Sequence, residues 1–291
     1  MSICVLNNFK KENLFLEPYP HIIIRECLDW DIYRELESSI DVKRIKSMCS
    51  ADGAGAHRYK RGKFKGDIER QNNLLSEFME YHTSPDFVVK VLNIFDKQMN
   101  DLYHNFYKSF KKENVLLRGV RNPEGVNKKE VLHADCQVVI HDPLPSESTT
   151  RSVHIDCFKE LYAGLLYIKN ENDKSTGGDL ELYSICEKPR KRSEKYKTIY
   201  CQSSVEYIPE SLSKYNRDLY IGWENEKDRG PEEVNLIKSK VVEYYKNNFI
   251  MFLNTPKSIH GVSTRFGAEL ERVHINMISD RVGKKSNMFK V

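Results

Sequence analysis

The chain has 291 residues, of which 40% are hydrophobic and 30% charged; this suits one elaborated domain or two small ones and excludes disordered and membrane-spanning classes, because no apolar run nears the roughly 18 residues a bilayer needs. Lys and Arg number 46 against 42 Asp and Glu, a net charge of +4 that is too small to announce nucleic acid as a partner. The seven cysteines are scattered and form no CxxC pair, so neither a zinc ribbon nor a disulfide framework follows, and a reducing cytoplasm fits best.

The first residues, MSICVLNNFKKENLF, lack the basic start and apolar stretch of a secretory signal, so no signal is read and Met1 is expected to belong to the mature protein. After the β-rich run His21 to Ile24, Asp29 is expected to cap a helix with Ile32, Tyr33, Leu36 and Ile40 on one face. Residues 43–70 mix glycines with Lys and Arg and show no apolar period, which predicts a mobile, basic loop able to cover a site. Ser84-Pro85-Asp86 has the form of a cap, a first-turn proline and an acid. It opens a stripe of Val88, Val91, Leu92, Phe95, Met99, Leu102, Phe106 and Phe110, read as one long helix packed on a sheet. From about residue 130 short β-rich runs follow: 131–140, 161–168, 180–183, 249–253, 259–263 and 272–278. They point to a sandwich or barrel. Between Tyr183 and Phe249 lies a polar insertion with the basic cluster 188–192 and an apolar patch at Tyr220, Ile221 and Trp223, read as a lid.

The sharpest signal is Ser152-Val153-His154-Ile155-Asp156, with a strand-like segment and the turn Thr176-Gly177-Gly178-Asp179 behind it. Side chains two apart on an extended segment share a face, so His154 and Asp156 can present an imidazole and a carboxylate to one point. His260 stands at a later strand start and Arg272 twelve residues beyond it. Two histidines and one carboxylate on one face of an octahedral metal are the donor set of non-haem Fe(II) oxygenases.

In these motifs and their order, over residues 130–280, the chain resembles the iron and 2-oxoglutarate-dependent dioxygenase superfamily, in texture its prolyl-hydroxylase-like members. Tyr19 to Ile24 adds a weaker echo. The resemblance implies an α+β, mainly β fold: a double-stranded β-helix (jelly roll) over 130–280, buttressed by helices of residues 1–129 in one domain, with the lid-like insertion at 184–248. It implies His154, Asp156 and His260 as iron ligands and Arg272 as the grip on the distal carboxylate of 2-oxoglutarate, a task suited to a guanidinium fork. Fe(II), 2-oxoglutarate and O2 would then hydroxylate a C–H bond with release of succinate. Because Asp156 is present rather than Gly or Ala, hydroxylation, desaturation or ring chemistry is preferred over halogenation. Where many members carry Ser or Thr two residues after the arginine, this chain has His274, and a tyrosine of the facing strand, Tyr162 or Tyr167, is expected to replace the missing hydroxyl.

Several residues compete for these roles. His133-Ala134-Asp135 is a second HxD, read as a strand near the site mouth because no matching strand and Gly-Gly turn follow it. His274 alternates onto the face of Arg272 and so approaches the carboxylate rather than the metal. Arg265 is taken as a surface arginine, Cys157 as a small buried residue, Gly177-Gly178 as a tight turn and the basic cluster 188–192 as a solvated loop. A small molecule or glycan is the expected substrate, without nucleic acid or membrane. The competing functions are a mononuclear iron oxygenase that does not use 2-oxoglutarate and a metal-binding or sensory module without turnover.

Overall fold

In the computed structural model the described residues are 2–52, 55–71, 73–102, 132–143, 148–151, 153–156, 160–185, 200–201, 236–255 and 257–281. Two short strands, β1 (Leu14–Phe15) and β2 (His21–Ile24), open the fold. Then come α1 (Trp30–Ser38), α2 (Val42–Met48), β3 (Ala56–Lys60), α3 (Lys65–Gln71), α4 (Leu74–His82), α5 (Pro85–Ile94) and α6 (Asp96–Leu102). Strands make up the rest: β4 (Leu132–His141), β5 (His154–Ile155), β6 (Glu160–Ile168), β7 (Thr176–Gly177), β8 (Leu180–Ile185), β9 (Tyr200–Cys201), β10 (Leu236–Val242), β11 (Phe249–Leu253), β12 (His260–Val262), β13 (Arg265–Phe266) and β14 (Arg272–Arg281). Each β-rich run of the second half coincides with a strand.

A larger sheet runs β1-β2-β11-β6-β14-β4-β3, a smaller one β10-β8-β12-β5-β9, and β13 with β7 forms a ribbon. The pairings are antiparallel except that of β5 with β9. Strand alternation divides the larger sheet into two faces. Val138, Leu166, Met251, Ile275 and Met277 on one face join Leu36, Phe78, Phe87 and Val91 of the helices in one apolar cluster. Ala163, Tyr167, Ile250, Phe252 and Ile278 on the other face meet Leu180 and Leu182 of the smaller sheet. Helices, larger sheet and smaller sheet therefore form three layers, and each large side chain wholly buried between them contributes about 1.5–3 kcal/mol. No helix among the described residues is long and apolar enough to cross a membrane.

The sequence reading is corrected in three places. Residues 43–70 are not a loop: Asp41 caps α2 by accepting from the Arg44 amide at 3.0 Å, and β3 pairs with β4 from Ala56↔His141 to Lys60↔Gln137. The first half is thus more than helical support, since β1, β2 and β3 are three strands of the larger sheet. The long helix is two. Ser84 accepts from the Phe87 amide and Pro85 opens α5 as expected, but Phe95 leaves helical geometry before α6. Asn93 and Asp96, whose side chains compete for backbone bonds, flank that break. Phe106, Phe110, Cys157, the basic cluster 188–192 and the patch at 220–223 lie outside the described residues; of the expected lid, the described part is residues 184–185, 200–201 and 236–248, with β10 extending the smaller sheet beside β8.

Candidate metal centre

His154 on β5 and His260 on β12 are directly opposed across an antiparallel pair, a position that turns both side chains to one face of the smaller sheet. Asp156 follows β5 on the same side. Its carboxylate lies 3.4 Å from His154 Nε2 and 3.6 Å from His260 Nε2, and the two rings are 4.3 Å apart between centroids. One potential ligand atom from each residue lies within 4.8 Å of the other two, and among the described residues no other group of three His, Cys, Asp or Glu does this. Both histidines are buried, and the Phe252 ring of the larger sheet packs on His260 at 4.7 Å.

The protonation states define what fits there. His260 Nδ1 donates to the Ser258 carbonyl at 2.8 Å. Burial and the neighbouring His154 hold His260 down at about 4, so the ring is neutral at pH 7 and its Nε2 carries a lone pair. His154 Nε2 accepts from Arg151 Nε at 3.3 Å, so it too presents a lone pair. Burial alone would raise the Asp156 carboxyl, but the imidazoles of His260 and His154 and the Arg151 guanidinium outweigh it and hold the group well below the usual carboxylate range. Two imidazole lone pairs and a carboxylate converging in a buried place repel one another unless a cation stands between them, and nitrogen and oxygen donors of this kind suit a divalent transition metal.

One cavity of about 510 Å³ joins this trio to Arg272, at the start of β14. Arg272 is 2% exposed. Its Nε and Nη2 donate to the Gly178 carbonyl at 3.2 and 3.1 Å, and its Nη1 donates to His274 Nδ1 at 3.1 Å. Its guanidinium lies 4.8 Å from the Tyr244 ring and 5.3 Å from that of Tyr167. No carboxylate of the described residues is within ion-pair distance of it. The Tyr167 hydroxyl is buried beside the guanidinium and has no hydrogen-bond partner among the described residues; burial pushes it up to about 12 although the cation favours its ionised form. A buried cation with donors to spare and an unpartnered hydroxyl make a receptor for a carboxylate.

The remaining sequence candidates separate cleanly. His274 stands against Arg272, as its alternation predicted, with its ring stacked on His141 at 5.8 Å. Tyr167 is opposite His274 in the β6–β14 register, on the strand face that carries the cavity-lining Ala163 and Leu165, with its ring 5.3 Å from the Arg272 guanidinium. Tyr162 is not a site residue: five positions from Tyr167 on the same strand, it has the opposite parity and packs into the cluster beneath the helices. Arg265 is not at the surface. It is 1% exposed, donates to Asp173 and to Ser175, each at 2.8 Å, and ties the β7–β13 ribbon to the Asn170 to Ser175 turn. Gly177 and Gly178 are a turn, both with φ near +70°, and a Cβ on Gly177 would meet the Thr264 carbonyl at 2.0 Å. Asp135 of the second HxD is buried on β4, where it accepts from Gln137 at 2.6 Å, and it joins no metal-binding trio. Sequence reasoning missed Tyr244, which carries no motif, and Arg58, Lys60 and Arg151 on the cavity wall. The one available signal was the position of Arg151, three residues before His154.

No family model and no curated protein matches the chain. Among solved structures it is similar to a prolyl 4-hydroxylase from Phytophthora capsici, at 10% identity and a TM-score of 0.48 over 97% of this chain and 66% of that one. It is also similar to a Pseudomonas putida prolyl-4-hydroxylase, at 11% identity and a TM-score of 0.40 over 90% and 93% of the two chains. A third similar structure is HygX from Streptomyces hygroscopicus with nickel and 2-oxoglutarate bound, at 9% identity and a TM-score of 0.36 over 89% and 82%.

Proposed function

We propose that the chain is an Fe(II)- and 2-oxoglutarate-dependent dioxygenase built on a double-stranded β-helix, hydroxylating a C–H bond of a small molecule or glycan. The observation that carries this reading is the cavity in which a His-Asp-His trio and a buried arginine, without a carboxylate partner among the described residues, face the same space. His154, Asp156 and His260 would hold the metal on one face and leave its other positions open. When bound, ferrous iron with 2-oxoglutarate supplies the oxidising chemistry, dioxygen being consumed as the co-substrate loses carbon dioxide to become succinate.

The chain's own residues do the rest. The Ser258 carbonyl fixes the His260 tautomer and aims its Nε2 at the metal position. Arg272 holds the distal carboxylate of the co-substrate by charge-assisted hydrogen bonds, itself positioned by the Gly178 carbonyl. His274 is kept neutral by burial and by Arg272, and its Nδ1 accepts from that guanidinium, so its proton sits on Nε2 as a second donor. The Tyr167 hydroxyl supplies the oxygen-borne donor that a Ser or Thr would give at position 274. Phe252, Leu180 and Ile278 line this space and limit water around the reacting groups. The four free cysteines described, Cys4, Cys27, Cys49 and Cys136, are buried thiols, which supports a reducing compartment such as the cytoplasm.

The test is anaerobic addition of Fe(II) and 2-oxoglutarate, with His154→Ala as the blank. A weak visible metal-to-ligand band that fades on admitting oxygen, with succinate appearing, is the expected result. Metal binding without that band would favour an oxygenase of another kind, and a stable band without succinate would favour an inert sensor.

A further inference from the structure

Among the described residues, the cavity lining carries more cationic than anionic side chains. It includes five cationic side chains, Arg58, Lys60, Lys63, Arg151 and Arg272, against three carboxylates, Asp52, Asp156 and Glu160. A divalent metal and a dianionic co-substrate cancel each other, so loading the site leaves the excess of two positive charges in place. His141 and His274 also line it, stacked on each other at 5.8 Å, and burial, foremost, holds both below the ordinary imidazole range.

Two of these cations are placed to meet a third occupant. The Arg151 backbone is pinned, since its carbonyl accepts from the Val262 amide at 2.9 Å and its amide donates to Thr149 Oγ1 at 3.1 Å. The side chain is not pinned in the same way. Its Nε donates to His154 Nε2, the lone pair that a metal would take, so metal binding there would free this half-buried guanidinium from its one side-chain partner among the described residues. No carboxylate of the described residues pairs with it at ion-pair distance. Arg58 projects from edge strand β3 into the same cavity and pairs with Asp52 at 2.6 Å. Arg58, Arg151 and Arg272 all line this one cavity together with His141.

We propose that the substrate is an anion whose carboxylate, phosphate or sulfate group is seated by Arg151 and Arg58, making Arg151 a specificity-determining residue. This rests on the reading that the cavity holds iron and 2-oxoglutarate. A guanidinium fork suits all three oxyanions through charge-assisted hydrogen bonds.

The test is calorimetric titration of the protein saturated with manganese(II) and 2-oxoglutarate, in low salt so that screening is weak. The probes are methyl phosphate, methyl sulfate, acetate and glycerol. Anions are expected to bind and glycerol to fail, and the ranking of the three anions identifies the oxyanion. Arg151→Gln is expected to weaken the best anion by about ten- to a hundredfold, with metal and 2-oxoglutarate affinities retained and Arg151→Lys recovering part of the loss. Arg58→Gln reads the same effect from strand β3 should the Arg151 variants melt early. Equal anion affinity in wild type and both Gln variants, or an anion that 2-oxoglutarate displaces, would overturn the proposal. So would the absence of anion binding to a protein that takes up both metal and 2-oxoglutarate. Failure to bind metal and 2-oxoglutarate at all would instead overturn the parent reading, and this one with it.

Discussion

Replacing Arg272 by Met should separate function from stability. In the metal-free fold this guanidinium is 2% exposed and is compensated by the Gly178 carbonyl, the His274 imidazole and two aromatic faces, with no carboxylate at ion-pair distance among the described residues. Removing it leaves two acceptors unsatisfied, at a cost of about 1–3 kcal/mol each. It also removes the desolvation penalty of an incompletely paired cation, about several kcal/mol. The two terms nearly cancel, so the urea midpoint should move by less than about 1.5 kcal/mol equivalent. The co-substrate loses two charge-assisted hydrogen bonds of about 1.5–3 kcal/mol each, and non-additivity brings the expected loss to about 3 kcal/mol, a rise of about a hundredfold in the 2-oxoglutarate Kd. Anaerobic calorimetry on the manganese(II) form beside urea unfolding measures both quantities. A variant that unfolds easily yet, where folded, binds 2-oxoglutarate as wild type does would show that Arg272 is a structural residue and refute the reasoning.

Three further outcomes follow from the same geometry. Gly177→Ala and Gly178→Ala share the positive-φ cost of about 1–2 kcal/mol, but only the first drives a Cβ into a backbone carbonyl, the second meeting Arg265 Cδ at an ordinary 3.4 Å; urea unfolding should show Gly177→Ala as clearly the worse, and equal losses would contradict the turn described. Tyr167→Phe should raise the 2-oxoglutarate Kd about fivefold to tenfold, one neutral hydrogen bond, whereas Tyr162→Phe should leave it unchanged; the same calorimetry decides, and the reverse order would reassign the tyrosine. His82, His141 and His260 are pushed down, chiefly by burial, to about 3, 3 and 4. Between those values and about 6.5 the unfolded chain holds protons that the native fold refuses, so the metal-free protein should lose stability as pH falls below 6.5, by up to about 1.4 kcal/mol per unit for each histidine. A urea midpoint flat from pH 7 to pH 5 would show that these rings are not buried neutral.

Much of the site was legible because its signals are local. Spacing of two puts His154 and Asp156 on one face whatever the rest of the chain does, the strands at 161–168 and 249–253 announce themselves by uninterrupted apolar runs that suit a strand buried on both faces, and 272–278 does so by alternating Val273, Ile275 and Met277 with polar residues. Even the tyrosine question was half answered by parity: positions 162 and 167 on one strand cannot both face the cavity.

Which parity faces inward depends on the layer packed against the strand, and that is a tertiary fact: the helices cover Tyr162 and the smaller sheet covers Tyr167. The same holds for β3. Its residues, AHRYK, have no strand-like apolar run and become a strand because β4, some 80 residues further along, offers its unpaired edge. Arg265 looked like surface because its buried partner, Asp173, lies on another turn. Residue chemistry and periodicity are properties of a short stretch of chain and determined the shared face of His154 and Asp156 and most strands. Facing, pairing and charge balance arise between stretches far apart, and only the folded layers decided which tyrosine, which arginine and which edge strand belong to the cavity.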